Sequence, residues 1–259
     1  MNSDSGSGGP PAIVTLSSDF GWGSPYVAVM KAVILEICPA ARLVDVAHAL
    51  APFSPAAAAF PLWVSSRAFP GGSVHLAVVD PGVGTERRPV AVLTEGRWYV
   101  GPDNGVFGLV IAASQARGPG PERAFQLEVP ESAAPTFHGR DVFAPAAARL
   151  ARGDDPARLG FEVDATSLMA GPTGPPRVLY VDRFGNLVTS LVPPIRGVEV
   201  AGRRITRWVR TFAESGDDQP FCYLGSSGLV EVAVREGRAD RILGAGLGDP
   251  VSPLDAESG

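Results

Sequence analysis

Residues 77–89, AVVDPGVGTERRP, carry the side chains most suited to chemistry in this chain. An apolar run stops at Asp80, turns through Gly82 and Gly84, and ends in the neighbouring arginines Arg87 and Arg88. Asp-Pro is by itself a common turn opener. The PGVGTE stretch is also long and flexible enough to fold back, and a guanidinium returned beside Asp80 would hold it as the carboxylate. His138, one of three histidines, stands between Phe137 and Gly139 at the start of a helical stretch. A lone histidine is often structural; in a glycine-flanked loop it is exposed enough for acid–base work. DRFGN, residues 182–186, puts a carboxylate, a ring, a glycine and an amide side by side. It reads as a β-turn, or as a site in which Asp182 meets an amine, Phe184 stacks on a base and Asn186 reads a purine edge. GSSGLVEV adds Ser226 and Ser227, with Glu231 on the strand that follows.

Alternating elements must position these groups. AIVTL reads as a buried strand, followed by the loop SSDFGWGS and a helix opened by Ser24-Pro25, an N-cap with proline at the first helical position. ARLVDVAH is a second strand, Ser54-Pro55 open an Ala-rich helix to about Phe69, and SVHLAVV is a third strand. This alternation predicts a parallel, Rossmann-like sheet with covering helices. Ligands then bind beyond the carboxyl ends of the strands, where Asp19, His48 and Asp80 fall. PVAVLTEGRWYV predicts a hairpin turning at Glu95-Gly96, GPDNGVFG a glycine-rich turn with Asp103 and Asn104, and residues 112–135 a long loop holding one short strand. GRDVFAPAAARLARG is a helix directly behind His138. MAGPTGPP breaks the pattern, and short β runs follow: RVLYVD, NLVTSL, VEVAGRRITRWV with a turn at Ala201-Gly202, PFCYLG and LVEVAVR. The expected organisation is a disordered tail over 1–11, an α/β domain over 12–170, a linker over 171–176, a smaller all-β domain over 177–254 and a tail over 255–259. No internal repeat is visible.

The 259 residues suffice for one large or two unequal domains. With 45% hydrophobic residues, 19% charged residues and a net charge of −5, the composition is that of a soluble globular protein with no broad basic field for nucleic acid. Cys38 and Cys222 are too few and too far apart for a disulfide framework or zinc cluster, and fit buried thiols in a reducing cytoplasm. No apolar run is long enough to span a bilayer, and MNSDSGSGGPP lacks the regions of a signal peptide. Neither GxGxxG after the first strand nor GxxxxGK[ST] is present, so the usual dinucleotide and P-loop sites lose their main support.

Six segments in order, SSDFGWGSPYVAVMKAVIL, HLAVVDPGVGTERRP, GPDNGVF, TFHGRDVFAP, DRFGNLVT and GSSGLVEVAV, resemble the S-adenosylmethionine (SAM) hydroxide adenosyltransferases, relatives of the SAM-dependent fluorinase and chlorinase. The resemblance spans about Ile13 to Pro253. It implies an adenosine-forming SAM hydrolase: water, as hydroxide, attacks C5′ of the ribose and L-methionine leaves. It implies catalytic roles for Asp80, Arg87 and His138 and a ribose contact for Asp19. Phe53 falls near an aromatic that packs beside the ribose. Asp182 matches the residue that holds the methionine amino group, Phe184 and Asn186 match adenine contacts, and Ser226 and Glu231 fall toward the methionine end. It also implies a homotrimer with each site between neighbouring subunits and SAM as substrate; a sulfonium leaving group calls for no cofactor or metal, and the cysteine usage fits a cytoplasmic location. Asp80 and Arg87 are expected to orient the water, with His138 or the coupled trio taking its proton. The halogenases carry tyrosine at the position of Asp80, and a carboxylate there repels halide. Where many family members read Asn-Ser-Phe-Gly, this chain has Gly225-Ser226-Ser227-Gly228, which alters a methionine-side contact. The alternatives are a SAM-dependent halogenase, a SAM or adenosine sensor without turnover, and a metal-dependent phosphohydrolase using Asp19, Asp80, Asp103 and His138.

Overall fold

A computed structural model describes residues 12–169 and 175–254. Most of the expected linker and both expected tails lie outside the described residues. The chain divides into two compact units, residues 1–172 and 173–259, each with its own core.

Unit 1 begins with β1 (Ile13–Ser18), α1 (Pro25–Ile37), β2 (Arg42–Ala47), α2 (Pro55–Ser66) and β3 (Val74–Val78). Both helices start as their Ser-Pro signals require: Ser24 accepts the Tyr26 N–H and Ser54 accepts the Ala57 N–H, each with proline in the first turn. β4 (Pro89–Thr94) and β5 (Arg97–Pro102) form the expected hairpin, with Glu95 at φ 51° and Gly96 at φ 67°, the left-handed pair that a two-residue turn needs. Then come α3 (Gly108–Arg117), β6 (Arg123–Leu127), a π-helical turn (Gly139–Phe143), α4 (Ala144–Arg152) and β7 (Gly160–Val163).

The sheet runs β2-β1-β3-β5-β4-β6-β7. Its first four strands are parallel and the rest antiparallel, so the Rossmann-like half is extended by a meander. α1 and α4 cover one face around Met30, Ile34 and Phe143, and α2 and α3 cover the other around Leu62, Val110 and Ile111. The first crossover therefore runs over one face and the second over the other, which opens a crevice beyond the carboxyl ends of β1 and β3.

Four elements are absent from the sequence reading: α3, β7 and, in unit 2, a short helix (Ala239–Leu243) and the last strand (Val251–Leu254). α3 occupies the start of the expected long loop. No side chain caps its first turn, so the usual boundary signal is missing, and burial of Val110 and Ile111 supplies the stabilisation instead.

Unit 2 contains β8 (Val178–Val181), β9 (Leu187–Thr189), β10 (Gly197–Val200), β11 (Arg203–Ile205), β12 (Phe221–Leu224), β13 (Val230–Ala233), a short helix α5 (Ala239–Leu243) and β14 (Val251–Leu254). The strands form two antiparallel sheets, β12-β13-β9-β8 and β11-β10-β14, around Leu187, Val198 and Val232. α5 is the one α-helix among its described residues. Cys38 and Cys222 are both buried and unpaired, one in each unit. No helix is long and apolar enough to cross a membrane among the described residues.

Candidate active site

Asp80 lies just past the end of β3, and the PGVGTE loop returns the chain so that Arg87 meets it side-on. Arg87 Nε donates to Asp80 Oδ1 at 2.9 Å and Nη2 to Oδ2 at 2.5 Å, a two-pronged pair whose side chains are only 9% and 6% exposed. Nη2 also donates to His138 Nδ1 at 2.8 Å, and the guanidinium lies 5.1 Å from the centre of the Phe143 ring. Nη1 is buried without a hydrogen-bond partner among the described residues.

The guanidinium dictates the state of the histidine. Arginine only donates, so Nδ1 of His138 must be an acceptor and the neutral ring carries its proton on Nε2. Burial, then the charge of Arg87, holds the His138 pKa below its ordinary value, with Asp80 and Asp141 opposing. The ring thus presents an N–H donor, and this geometry does not favour the expected role of His138 as proton acceptor.

A cavity of about 270 Å³ in unit 1 is lined by Asp19, Phe53, Val83, Asp80, Phe137 and His138, among others. Asp19 follows β1, and its Oδ2 accepts the Phe53 N–H at 2.9 Å. Phe53 has φ 61°, a left-handed conformation costly for a bulky residue, and its ring is 76% exposed. Phe20, Val83 and Phe137 also line the cavity; the sequence signal for Phe20 and Phe137 is adjacency to Asp19 and His138, and Val83 falls in the loop after Asp80.

Gly84 couples the Asp80 loop to the segment carrying His138. It has φ +75°, and a Cβ there would lie 2.4 Å from the Pro135 carbonyl oxygen. Gly84→Ala is therefore expected to lower stability by about 1–3 kcal/mol and to pull His138 from Arg87. Urea unfolding checks the first effect, and the His138 ring resonances in an NMR titration check the second.

Other candidates have structural partners. Arg88 donates to Asp103 Oδ2 and to Ser167, while Asp103 Oδ1 accepts the Met169 N–H. Asn104 donates to the Val79 carbonyl. The GPDNG turn is thus scaffold beneath the Asp80 loop, and Asp103 lines no part of the cavity. No group of three or more His, Cys, Asp or Glu side chains is arranged to hold a metal ion among the described residues. His48 directly follows β2, but it is 1% exposed and does not line the cavity.

In unit 2, Asp182 closes its own turn. Its Oδ1 accepts the Phe184 and Asn186 N–H groups at 2.8 and 2.9 Å, and its Oδ2 accepts Asn186 Nδ2 at 2.8 Å. Gly185, at φ +87°, has no room for a side chain: a Cβ would lie 2.5 Å from Asp240 Oδ1. The Phe184 ring is left 73% exposed beside a cavity of about 580 Å³ lined by Phe184, Asn186, Phe212 and Arg238. The sequence carried no signal for Phe212 or Arg238. Tyr223 Oη donates to Glu231 Oε2, and a Cβ on Gly225 would clash with Glu231 Oε1. Burial raises the Glu231 pKa, with Asp182 adding to the shift and the Tyr223 hydroxyl opposing it. Ser226 is exposed at the tip of the adjoining turn.

An α/β unit with a crevice beyond two parallel strands, a buried Asp–Arg–His set and a separate β unit with an open aromatic site define the class. The SAM hydroxide adenosyltransferase N-terminal domain matches residues 14–160 and the C-terminal domain of that family matches residues 176–252. The chain belongs to the SAM hydroxide adenosyltransferase family. It is 50% identical over 258 residues to a protein of Thermus thermophilus named (R)-S-adenosyl-L-methionine hydrolase, covering 92% of this chain and 97% of that one. A protein of Actinoplanes sp. named fluorinase is 26% identical over 275 residues, covering 85% of this chain and 90% of that one. A crystal structure of a conserved hypothetical protein from Thermus thermophilus superposes with a TM-score of 0.82 at 48% identity, covering 94% of this chain and 100% of that chain.

Proposed function

We propose that this protein hydrolyses SAM to adenosine and L-methionine by attack of water on ribose C5′. The observation that carries the reading is the buried Asp80–Arg87–His138 set, in which Asp80 and His138 line the unit 1 cavity and Arg87 ties them together from behind. The sulfonium is a cationic leaving group that departs as a neutral thioether, so the chemistry calls for no general acid, cofactor or metal. What the protein must do is hold one water in line with C5′ and shed its proton as the C–O bond forms. Orientation of that kind contributes about 7–11 kcal/mol in favourable cases.

In this reading Asp80 accepts a hydrogen bond from the water. Each of its oxygens keeps a lone pair after the Arg87 fork, and one receives the proton late in the displacement. His138 Nε2–H faces the developing hydroxide as a donor, which fits the neutral state that burial and Arg87 favour for His138, while Arg87 holds Asp80 and His138 in place. Asp19 takes the ribose hydroxyls and Phe53 packs beside them. In unit 2, Phe184 and Asn186 take adenine, and Asp182, with Ser226 and Glu231 nearby, takes the methionine amino group. The protein acts as a cytoplasmic homotrimer in which unit 1 of one subunit and unit 2 of its neighbour complete a site. The exposed residues Trp22, Phe53 and Phe184, at 63%, 76% and 73%, support a cover of this kind. A negative carboxylate at position 80 disfavours halide as the nucleophile.

Turnover of SAM in ¹⁸O-labelled water tests this. The expected result is adenosine carrying the label at its 5′ oxygen, unlabelled methionine and a rate unchanged by chelator. A 5′-halo nucleoside in concentrated chloride, intact SAM, or adenosine formation that survives Asp80→Ala overturns it.

A further inference from the structure

Behind the Asp19 loop runs a continuous polar chain that the proposed chemistry does not use. Lys31 Nζ donates to Asp45 Oδ2 at 2.6 Å, and His48 Nε2 meets Asp45 Oδ1 at 3.0 Å. His48 Nδ1 meets Ser18 Oγ at 2.8 Å, and Ser18 Oγ accepts the Phe20 N–H at 3.4 Å. The His48 carbonyl accepts the Gly21 N–H at 2.6 Å, and the Trp22 ring stands edge-on to the imidazole at 5.1 Å.

The directions are assigned by what each group can do. A carboxylate only accepts, so the His48 proton sits on Nε2 facing Asp45, and Nδ1 accepts the Ser18 O–H. Every donor from the Phe20 N–H to the Lys31 ammonium then has an acceptor. Serine, histidine and aspartate in sequence invite comparison with a nucleophilic triad. Ser18 is 0% exposed and its hydroxyl is engaged on both sides, so no substrate carbonyl reaches it.

What the chain does reach is Asp19. It fixes the residues on both sides of Asp19, Ser18 and Phe20, and through Gly21 the following turn. Asp19 in turn fixes the strained Phe53 backbone by accepting its N–H. The two loops that shape one end of the unit 1 cavity thus share one support, centred on His48.

We infer that His48 is a positioning residue: through Ser18 it sets the rotamer and backbone of Asp19, and so the affinity for a cis-diol of the ribose. This rests on the reading of Asp19 as the ribose contact. Binding of adenosine and of 2′,3′-dideoxyadenosine to the full-length protein, measured by calorimetry, tests both separately. Asp19→Ala is expected to abolish the preference for the diol. Ser18→Ala, which removes one atom, and His48→Gln, whose amide reaches Asp45 but not Ser18, are each expected to reduce that preference roughly 10-fold. His48→Asn places an oxygen where Nδ1 was and is expected to restore it. In the Asp19→Ala background Ser18→Ala is expected to add nothing. Full diol preference in Ser18→Ala and His48→Gln, or an equal loss of affinity for both nucleosides, overturns the positioning role while leaving Asp19 in place. A diol preference that survives Asp19→Ala overturns the ribose reading and this inference with it.

Discussion

Asp80→Asn is expected to lower kcat for adenosine formation by about 10²–10³-fold while KM for SAM stays within about threefold. The amide keeps the shape of the carboxylate but loses its charge, and one of its two heads can no longer accept. Whichever way it turns, its N–H₂ head opposes one of the two Arg87 donors and cannot take a proton from the water, and its single oxygen must serve both the other Arg87 donor and the water. The loss falls on the transition state, where the proton must leave, and not on the nucleoside contacts, which explains the split between kcat and KM. The same substitution leaves a buried guanidinium without its counter-charge, and removing one partner of such a pair costs about 3–5 kcal/mol. Adding Arg87→Met to Asp80→Asn is expected to recover much of the stability and none of the activity. Initial rates and urea unfolding of the two variants check these outcomes; a single variant with near-normal kcat would remove Asp80 from the chemistry.

Acid is expected to act elsewhere, through His75. Its side chain is wholly buried, with Nδ1 2.8 Å from Thr15 Oγ1 and the Tyr99 ring at 5.0 Å. Nε2 has no partner among the described residues. Burial, then the charge of Arg97, lowers the pKa from 6.5 to about 3. Between those values the unfolded chain binds a proton that the folded chain refuses, so folding stability falls as pH falls. The slope from this one group is about 1.4 kcal/mol per pH unit, beginning near the ordinary histidine pKa. His138, also lowered, adds in the same direction. Carboxylates such as Asp154, lowered from 3.8 to about 2 by Arg152, add theirs only at more acidic pH. Carboxylates such as Glu162 and Glu214, lowered from 4.5, begin to contribute at about pH 5, so unfolding free energies measured from pH 7 down to about 5.5 weight the histidines. His75→Gln, which cannot titrate there, is expected to remove most of the slope; an unchanged slope would place the acid sensitivity in another group.

Much of the architecture was legible because its signals are local. Ser-Pro caps, period-two apolar runs and Glu-Gly or Ala-Gly turns each act within a few residues, and they located β1 to β5, α1, α2 and the β unit. α3 was not legible, because its helix is stabilised by the face it buries and not by a cap. The site was legible in part. Asp80 could be paired with one of the two arginines from a flexible loop of suitable length, and the six ordered segments pointed to the family and, through it, to Arg87.

What the sequence by itself determined is the set of chemical types, their order and the local turns that carry them. Only the tertiary structure decided which of them meet. Arg87 and Arg88 look equivalent in the chain, yet successive side chains in extended backbone leave on opposite sides. Entry into β4 at Pro89 turns Arg87 to Asp80 and Arg88 to Asp103. His138 reaches Arg87 across 51 residues of chain, and that contact alone assigns its proton to Nε2. His48, equally plausible at a strand end, is drawn inward by Ser18 and Asp45 and becomes support. A side chain's protonation and role depend on its neighbours' charge and on the exclusion of water, and packing between distant segments sets both.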